Sequence, residues 1–182
     1  MNMNAVAQIS RTQPVVGQQD QQQYLTFMLG GEVYAMGILA IKEIIEYGNL
    51  TEIPRMPEFI RGVINLRGAV VPVVDLGARF GKRTTNITRR TCIVIIEVAQ
   101  GEESHDIGVM VDAVNEVLEI SAVEIEPAPS FGADIRADFI DGMGKIDDKF
   151  VVILDVNQVL SVDEMASLAG VGGGETRQVA VG

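Results

Sequence analysis

A chain of 182 residues with one histidine and one cysteine has few routes to catalysis. His105 lies in the polar stretch Gly101-Glu102-Glu103-Ser104-His105-Asp106, a composition that reads as a surface turn rather than the wall of a catalytic cleft. Cys92 opens the apolar run Cys92-Ile93-Val94-Ile95-Ile96, with no His or Asp motif beside it to lower its pKa, so it reads as a packed thiol. The remaining acid–base possibility is a pair of carboxylates. Asp75 and Asp155 stand 80 positions apart at matching places in two similar segments, and two aspartates that share a proton can activate water. Their contexts, Asp75-Leu76-Gly77 and Asp155-Val156-Asn157, lack the hydroxyl-Gly sequence of such dyads. Both also end an apolar run where a helix should begin, which is the setting of an N-cap. No spacing of Cys, His and acids suits a metal, and Gly170 to Gly174 lacks the Lys of a phosphate-cradling loop. No catalytic residue, metal or cofactor is expected.

The chemistry that remains is recognition. Arg67 sits at the bend of Phe59-Ile60-Arg61-Gly62-Val63-Ile64-Asn65-Leu66-Arg67-Gly68-Ala69-Val70-Val71-Pro72-Val73-Val74-Asp75-Leu76, two strand-like runs joined where Gly68 can supply a positive φ. A guanidinium there can hold a partner's carboxylate in a forked grip. Ile41 and Glu43, on a neighbouring strand, would complete a mixed apolar and ionic patch. The alternative is an internal salt bridge for Arg67 and plain core packing for Ile41.

The frame of this hairpin returns 80 residues later as Phe139-Ile140-Asp141-Gly142-Met143-Gly144-Lys145-Ile146-Asp147-Asp148-Lys149-Phe150-Val151-Val152-Ile153-Leu154-Asp155-Val156. Phe59/Phe139, Ile60/Ile140, Gly62/Gly142, Val71/Val151 and Asp75/Asp155 are identical, while Asp147-Asp148 stands in place of Arg67-Gly68. A second match, at an offset of 73, pairs Ala40/Ala113, Glu43/Glu116, Glu46/Glu119 and Pro54/Pro127. Two collinear matches mean a duplication, each half with about five short strands.

The fold expected is mostly β: two SH3-like five-stranded β-barrel subdomains related by duplication, with short helices and a C-terminal helix. Residues 1–22 read as a disordered, Gln-rich leader and 170–182 as a flexible tail. The first barrel is expected over about 23–81, a connection over 82–90, and the second barrel with its helix over about 91–169. Pro72 implies an edge strand or a bulge. Asp75 should cap a short helix ending at Gly81, and Ser161 with Glu164 a capping box over Met165 and Leu168.

Composition sets further limits. Apolar residues make up 47% and charged residues 21%, enough for an aliphatic core. No apolar run reaches membrane-span length and no signal peptide is legible, so a cytoplasmic protein without direct membrane insertion is expected. Residues 55–90 carry eight basic and two acidic side chains, +8 − 2 = +6, so the rest of the −11 chain carries −17. An acidic protein without a basic, aromatic-studded stripe is not expected to bind nucleic acid, although the basic segment could steer an acidic partner.

The set Ile38-Leu39-Ala40-Ile41-Lys42-Glu43-Ile44, Glu58-Phe59-Ile60-Arg61-Gly62, Asn65-Leu66-Arg67-Gly68, Val70-Val71-Pro72-Val73-Val74-Asp75-Leu76 and Pro127-Ala128-Pro129 resembles the CheW family of chemotaxis coupling proteins, over roughly Tyr24 to Leu168. The resemblance implies a non-enzymatic cytoplasmic adaptor, recruited to membrane-associated arrays. It would link the cytoplasmic tip of methyl-accepting chemoreceptors to the regulatory domain of the histidine kinase CheA. It implies receptor contacts at Ile41, Glu43, Arg67 and Cys92, the last in a groove between barrels, and a kinase contact at Gly62. Two alternatives are an adaptor in a non-motility chemosensory pathway and a free-standing peptide-binding β-barrel module.

Overall fold

The computed structural model describes residues 21–82, 84–129 and 135–166. The expected leader and tail fall outside these residues, except that Gln21 and Gln22 already belong to the first strand. Leu168, Arg83 and most of the loop from Phe131 also lie outside them.

Eleven strands and two four-residue helices follow in order: β1 (Gln21–Leu29), β2 (Glu32–Gly37), β3 (Ile41–Glu46), β4 (Ile60–Leu66), β5 (Ala69–Asp75), α1 (Leu76–Arg79), β6 (Cys92–Gln100), β7 (Glu103–Val111), β8 (Ala113–Ser121), β9 (Ile125–Glu126), β10 (Ile140–Ile146), β11 (Lys149–Leu154) and α2 (Val156–Val159). Residues 162–166 are helical again, with Ser161 Oγ accepting from Glu164 N at 3.3 Å, as its capping position requires.

The strands form two sheets, ordered β3-β6-β7-β5-β4 and β8-β1-β2-β11-β10-β9. Each closes in the same way. Thr51 exchanges both backbone hydrogen bonds with Val63 of β4, and the two-residue β9 pairs with β10 at the corresponding place. These are two SH3-like barrels, but their boundaries differ from the sequence expectation. Barrel one is residues 41–111, and barrel two combines β1 and β2 with β8 to β11. Each repeat donates its first hairpin to the other barrel: β1–β2 goes to barrel two and β6–β7 to barrel one. The crossings are short: the 3-10 turn Ile38–Ala40 carries the chain from β2 to β3, and Asp112 alone carries it from β7 to β8. Residues 82–90 therefore do not connect subdomains. They join β5 to β6 inside barrel one.

This exchange explains the near-continuous apolar run of β6. Ile93 and Ile95 point into barrel one with Ile64, Val71, Val73 and Met110, while Val94, Ile96 and Val98 point the other way. There they join a larger core drawn from both barrels, which includes Phe27, Tyr34, Phe80 and Phe139. Barrel two has its own small interior around Ala35, Ile120 and Ile153. A strand buried on both faces loses the period-2 alternation.

Pro72 lies in a central strand, not at an edge. Val63, its partner in β4, turns its own N–H and C=O to Thr51, and pairing of β5 with β7 begins only at Val73. The missing N–H thus interrupts no ladder bond. Among the described residues no helix is long and apolar enough to cross a membrane.

Candidate interaction surface

The β4–β5 hairpin pairs Leu66 with Ala69, leaving Arg67-Gly68 as a two-residue turn with φ of 51° and 88°. Positive φ at both positions is the type I′ geometry that matches strand twist. The sequence placed the left-handed residue at Gly68 alone; Arg67 shares it, a conformation costing a non-glycine residue about 1 kcal/mol. Asn65 Oδ1 pins the turn by accepting from Gly68 N at 2.8 Å. The Arg67 side chain is 73% exposed, and its guanidinium donates to Glu43 Oε2 at 2.5 Å, which raises its pKa further. Glu43 lies on β3, at the opposite end of the sheet order from β4, so this contact spans the closure of the barrel. Its other oxygen, Oε1, is buried with no hydrogen-bond donor among the described residues.

Ile41 is half-buried two positions from Glu43 and packs against the shared core. Ile41, Glu43 and Arg67 therefore fall together, and both readings of Arg67, exposed head and internal ion pair, hold at once. Cys92 is half-buried at the start of β6, opposite Glu46, and its Sγ lies 3.3 Å from the Arg90 carbonyl oxygen. Its partner Glu46 lies five positions along β3 from Ile41, about 17 Å of strand. Cys92 packs against the core shared by the barrels, at the far end of the surface.

Gly62 is buried, so it offers no exposed contact of its own. Its φ is 151°, and a Cβ there would stand 2.2 Å from Thr51 O, the atom that closes the barrel. The residue is required by the fold, because no side chain fits beside Thr51 O.

The two aspartates are caps. Asp75 is fully buried and accepts from Thr85 N and Oγ1, both at 2.8 Å, from Arg61 at 3.3 Å and from Ala78 N at 3.4 Å. Asp155 accepts from Asn157 N and Gln158 N. A carboxylate this fully engaged has no lone pair directed at a substrate. His105, expected in a surface turn, instead lies half-buried in strand β7 opposite Val98, with its ring bonded to Gln100 at 2.7 Å. Among the described residues no three His, Cys, Asp or Glu side chains converge as a metal site requires.

Sequence reasoning missed two features. Val70 is 73% exposed although it sits in an unbroken apolar run; strand parity, with Val71 and Val73 inward, was the available signal. Arg79, read only as a charge, is buried between the rings of Phe59 and Phe139, at 5.1 and 4.8 Å, and donates Nε to the Val159 carbonyl at 2.8 Å.

With the Arg67 hairpin, the Gly62 closure and the exchanged barrels in view, comparison with known proteins is direct. The CheW-like domain model matches residues 23–164. The chain belongs to the CheW-like family. A chemotaxis protein CheW of Klebsiella aerogenes is 32% identical over 161 residues, covering 88% of this chain and 95% of that protein. The Bacillus subtilis CheW is 35% identical over 144 residues, 79% of this chain and 89% of its own. The crystal structure of the scaffolding protein TtCheW from Thermoanaerobacter tengcongensis superposes with a TM-score of 0.70 at 35% identity, covering 78% of this chain and 89% of that one. The family is one of non-enzymatic chemotaxis scaffold adaptors, and this chain shares its fold.

Proposed function

We propose that this protein couples the cytoplasmic tips of methyl-accepting chemoreceptors to the regulatory domain of the histidine kinase CheA, in an array beneath the membrane. The observation that carries the reading is the asymmetry of two otherwise matching hairpins: one presents an exposed Arg67 locked to Glu43, the other an Asp-Asp turn. Receptor contact is assigned to Ile41, Glu43 and Arg67, with Cys92 at the end of the same surface. The kinase is assigned to the barrel-one closure, where Gly62 fixes the exposed segment Thr51 to Ile53 rather than touching the partner itself.

The adaptor does no chemistry. A receptor whose signalling states differ in affinity for this surface shifts the complex, and the kinase responds to that difference. The test is whether kinase activity becomes receptor-dependent only when the protein is added. Pull-downs assign the surfaces: Arg67→Glu should weaken receptor binding at least about tenfold and spare the kinase domain, and Ile53→Glu should do the reverse. Equal loss of both partners with Arg67→Glu, or no loss of either, would overturn the assignment.

A further inference from the structure

Of the seven described basic residues between 55 and 90, four pair with an acid. Arg61 pairs with Asp75, Arg67 with Glu43, Arg79 with Glu164 and Lys82 with Glu32. Arg89 and Arg90 are exposed, and neither has an ion-pair partner among the described residues. They line a groove of about 960 Å³ between the 84–90 loop of barrel one and the Gly30-Gly31 turn of barrel two. Asp112 is the sole acid lining it, and its Oδ2 is turned to Gly30 N at 2.7 Å.

We propose that this groove seats an acidic segment of the chemoreceptor tip, gripped by the Arg89 and Arg90 guanidiniums. The inference rests on the receptor-coupling reading above. Three observations support it. The 84–90 loop is pre-organised, because Thr88 N donates to Thr91 Oγ1 at 2.8 Å, Arg90 N to Thr88 Oγ1 at 3.1 Å, and Thr85 is fastened to Asp75. The loop backbone then need not be ordered on binding, although the two side chains must be. The groove also continues the proposed receptor surface, since the Arg90 carbonyl contacts Cys92 Sγ and Cys92 pairs with Glu46 of β3. Third, two unpaired guanidiniums on a chain of net charge −11 focus attraction for an anion at one place. A flat anionic bilayer is the poorer occupant: it cannot enter a groove, and it would meet the carboxylates of the surrounding surface.

The experiment measures binding of a receptor cytoplasmic fragment to the full chain from low to high salt. The wild type should weaken as salt rises, as screened charge pairs do. Arg89→Glu/Arg90→Glu should bind about tenfold more weakly at low salt and show a shallower salt dependence, while its binding to the kinase regulatory domain stays unchanged. Arg89→Lys/Arg90→Lys should restore most of the affinity. Wild-type affinity and salt dependence in the Glu variant would overturn the inference and leave the coupling reading intact. Arginine-dependent sedimentation with phosphatidylglycerol vesicles, without an effect on receptor binding, would overturn it in favour of the membrane. A wild-type chain that binds no receptor fragment would remove the coupling reading and this inference together.

Discussion

Barrel one and barrel two are built to the same plan, and their differences separate what the fold needs from what recognition needs. Both have a β-hairpin with a two-residue turn at positive φ, Arg67-Gly68 in one and Asp147-Asp148 in the other. Both carry an aspartate whose N–H donates to the carbonyl of the matching phenylalanine, Asp75 to Phe59 and Asp155 to Phe139. Both carry a register shift at a glycine, Gly62 or Gly142. An exposed apolar side chain follows each turn, Val70 at 73% and Phe150 at 52%. The features in duplicate serve strand closure and capping. The arginine at the turn, paired across the barrel mouth to Glu43, is present once.

The largest expected effect tests whether the two closures are equally tight. At Gly62 an added Cβ meets the Thr51 backbone at 2.2 Å and φ is 151°; at Gly142 it meets the Ile125 side chain at 2.6 Å and Glu126 O at 3.2 Å. Backbone on both sides of the Thr51–Val63 bridge cannot yield without opening the barrel, whereas β9 is a two-residue strand that can shift. Gly62→Ala should therefore cost about 4 kcal/mol or prevent folding, and Gly142→Ala about 1–2 kcal/mol. Urea unfolding of both variants measures this, and equal costs would show that the closures are equivalent.

Arg79 joins the two repeats. It is clamped between Phe59 and Phe139, a duplicated pair, and bonds the carbonyl of Val159, the residue at its own position in the second repeat. Its Nη2 reaches Glu164 Oε1 at 3.1 Å, an ion-pair distance without hydrogen-bond alignment. Arg79→Ala should cost about 3 kcal/mol, because the carbonyl and the carboxylate lose a buried partner. Glu164 also pairs with Arg136, and these contacts, Arg136 first, hold its carboxyl below the ordinary 4.5. A depressed folded pKa stabilises above the unfolded value. That contribution fades as pH falls below about 4.5 and through the lower folded value. Acid titration of stability should be steeper in the wild type than in Glu164→Gln.

Much of this was legible in the sequence. The duplication, the turns and the caps at Asp75, Asp155 and Ser161 all rest on patterns in the sequence. What escaped depends on chain crossing. A repeat reads identically whether its hairpin joins its own barrel or its neighbour's, so the exchange at Ile38–Ala40 and Asp112 left no signature. Arg79 escaped for a related reason: a basic residue among other basic residues looks solvated until the two repeats close over it. Gly62 was noticed for its missing side chain, but the atom that requires it, Thr51 O, lies eleven residues away across the barrel mouth.

Next in size is the separation of binding from stability at Arg67. The Arg67–Glu43 pair lies at the surface, with the arginine 73% exposed, so solvent screening should leave it little weight in folding. Arg67→Ala should thus leave the unfolding midpoint almost unchanged while receptor binding falls. A drop in stability as large as that of Arg79→Ala would make Arg67 a fold residue like Gly62, and the contrast between the hairpins would lose its functional meaning.

The smallest effect concerns the second hairpin. Asp147 and Asp148 both adopt positive φ, 49° and 64°, although only Asn and Gly hold such angles more easily than Asp. Two adjacent carboxylates in one turn also repel each other, so this turn is under both conformational and electrostatic strain. Asp148→Gly relieves both and creates the Asp-Gly pair that type I′ turns favour. It should stabilise the protein by about 0.5–1 kcal/mol, visible as a raised urea midpoint with an unchanged slope. The matching change in barrel one, Gly68→Asp at φ 88°, should destabilise it by a similar amount. If Asp148→Gly also weakened association with receptor or kinase, the Asp-Asp turn would be a recognition element of opposite charge to Arg67. The two hairpins would then be paired readouts rather than one site and one scaffold.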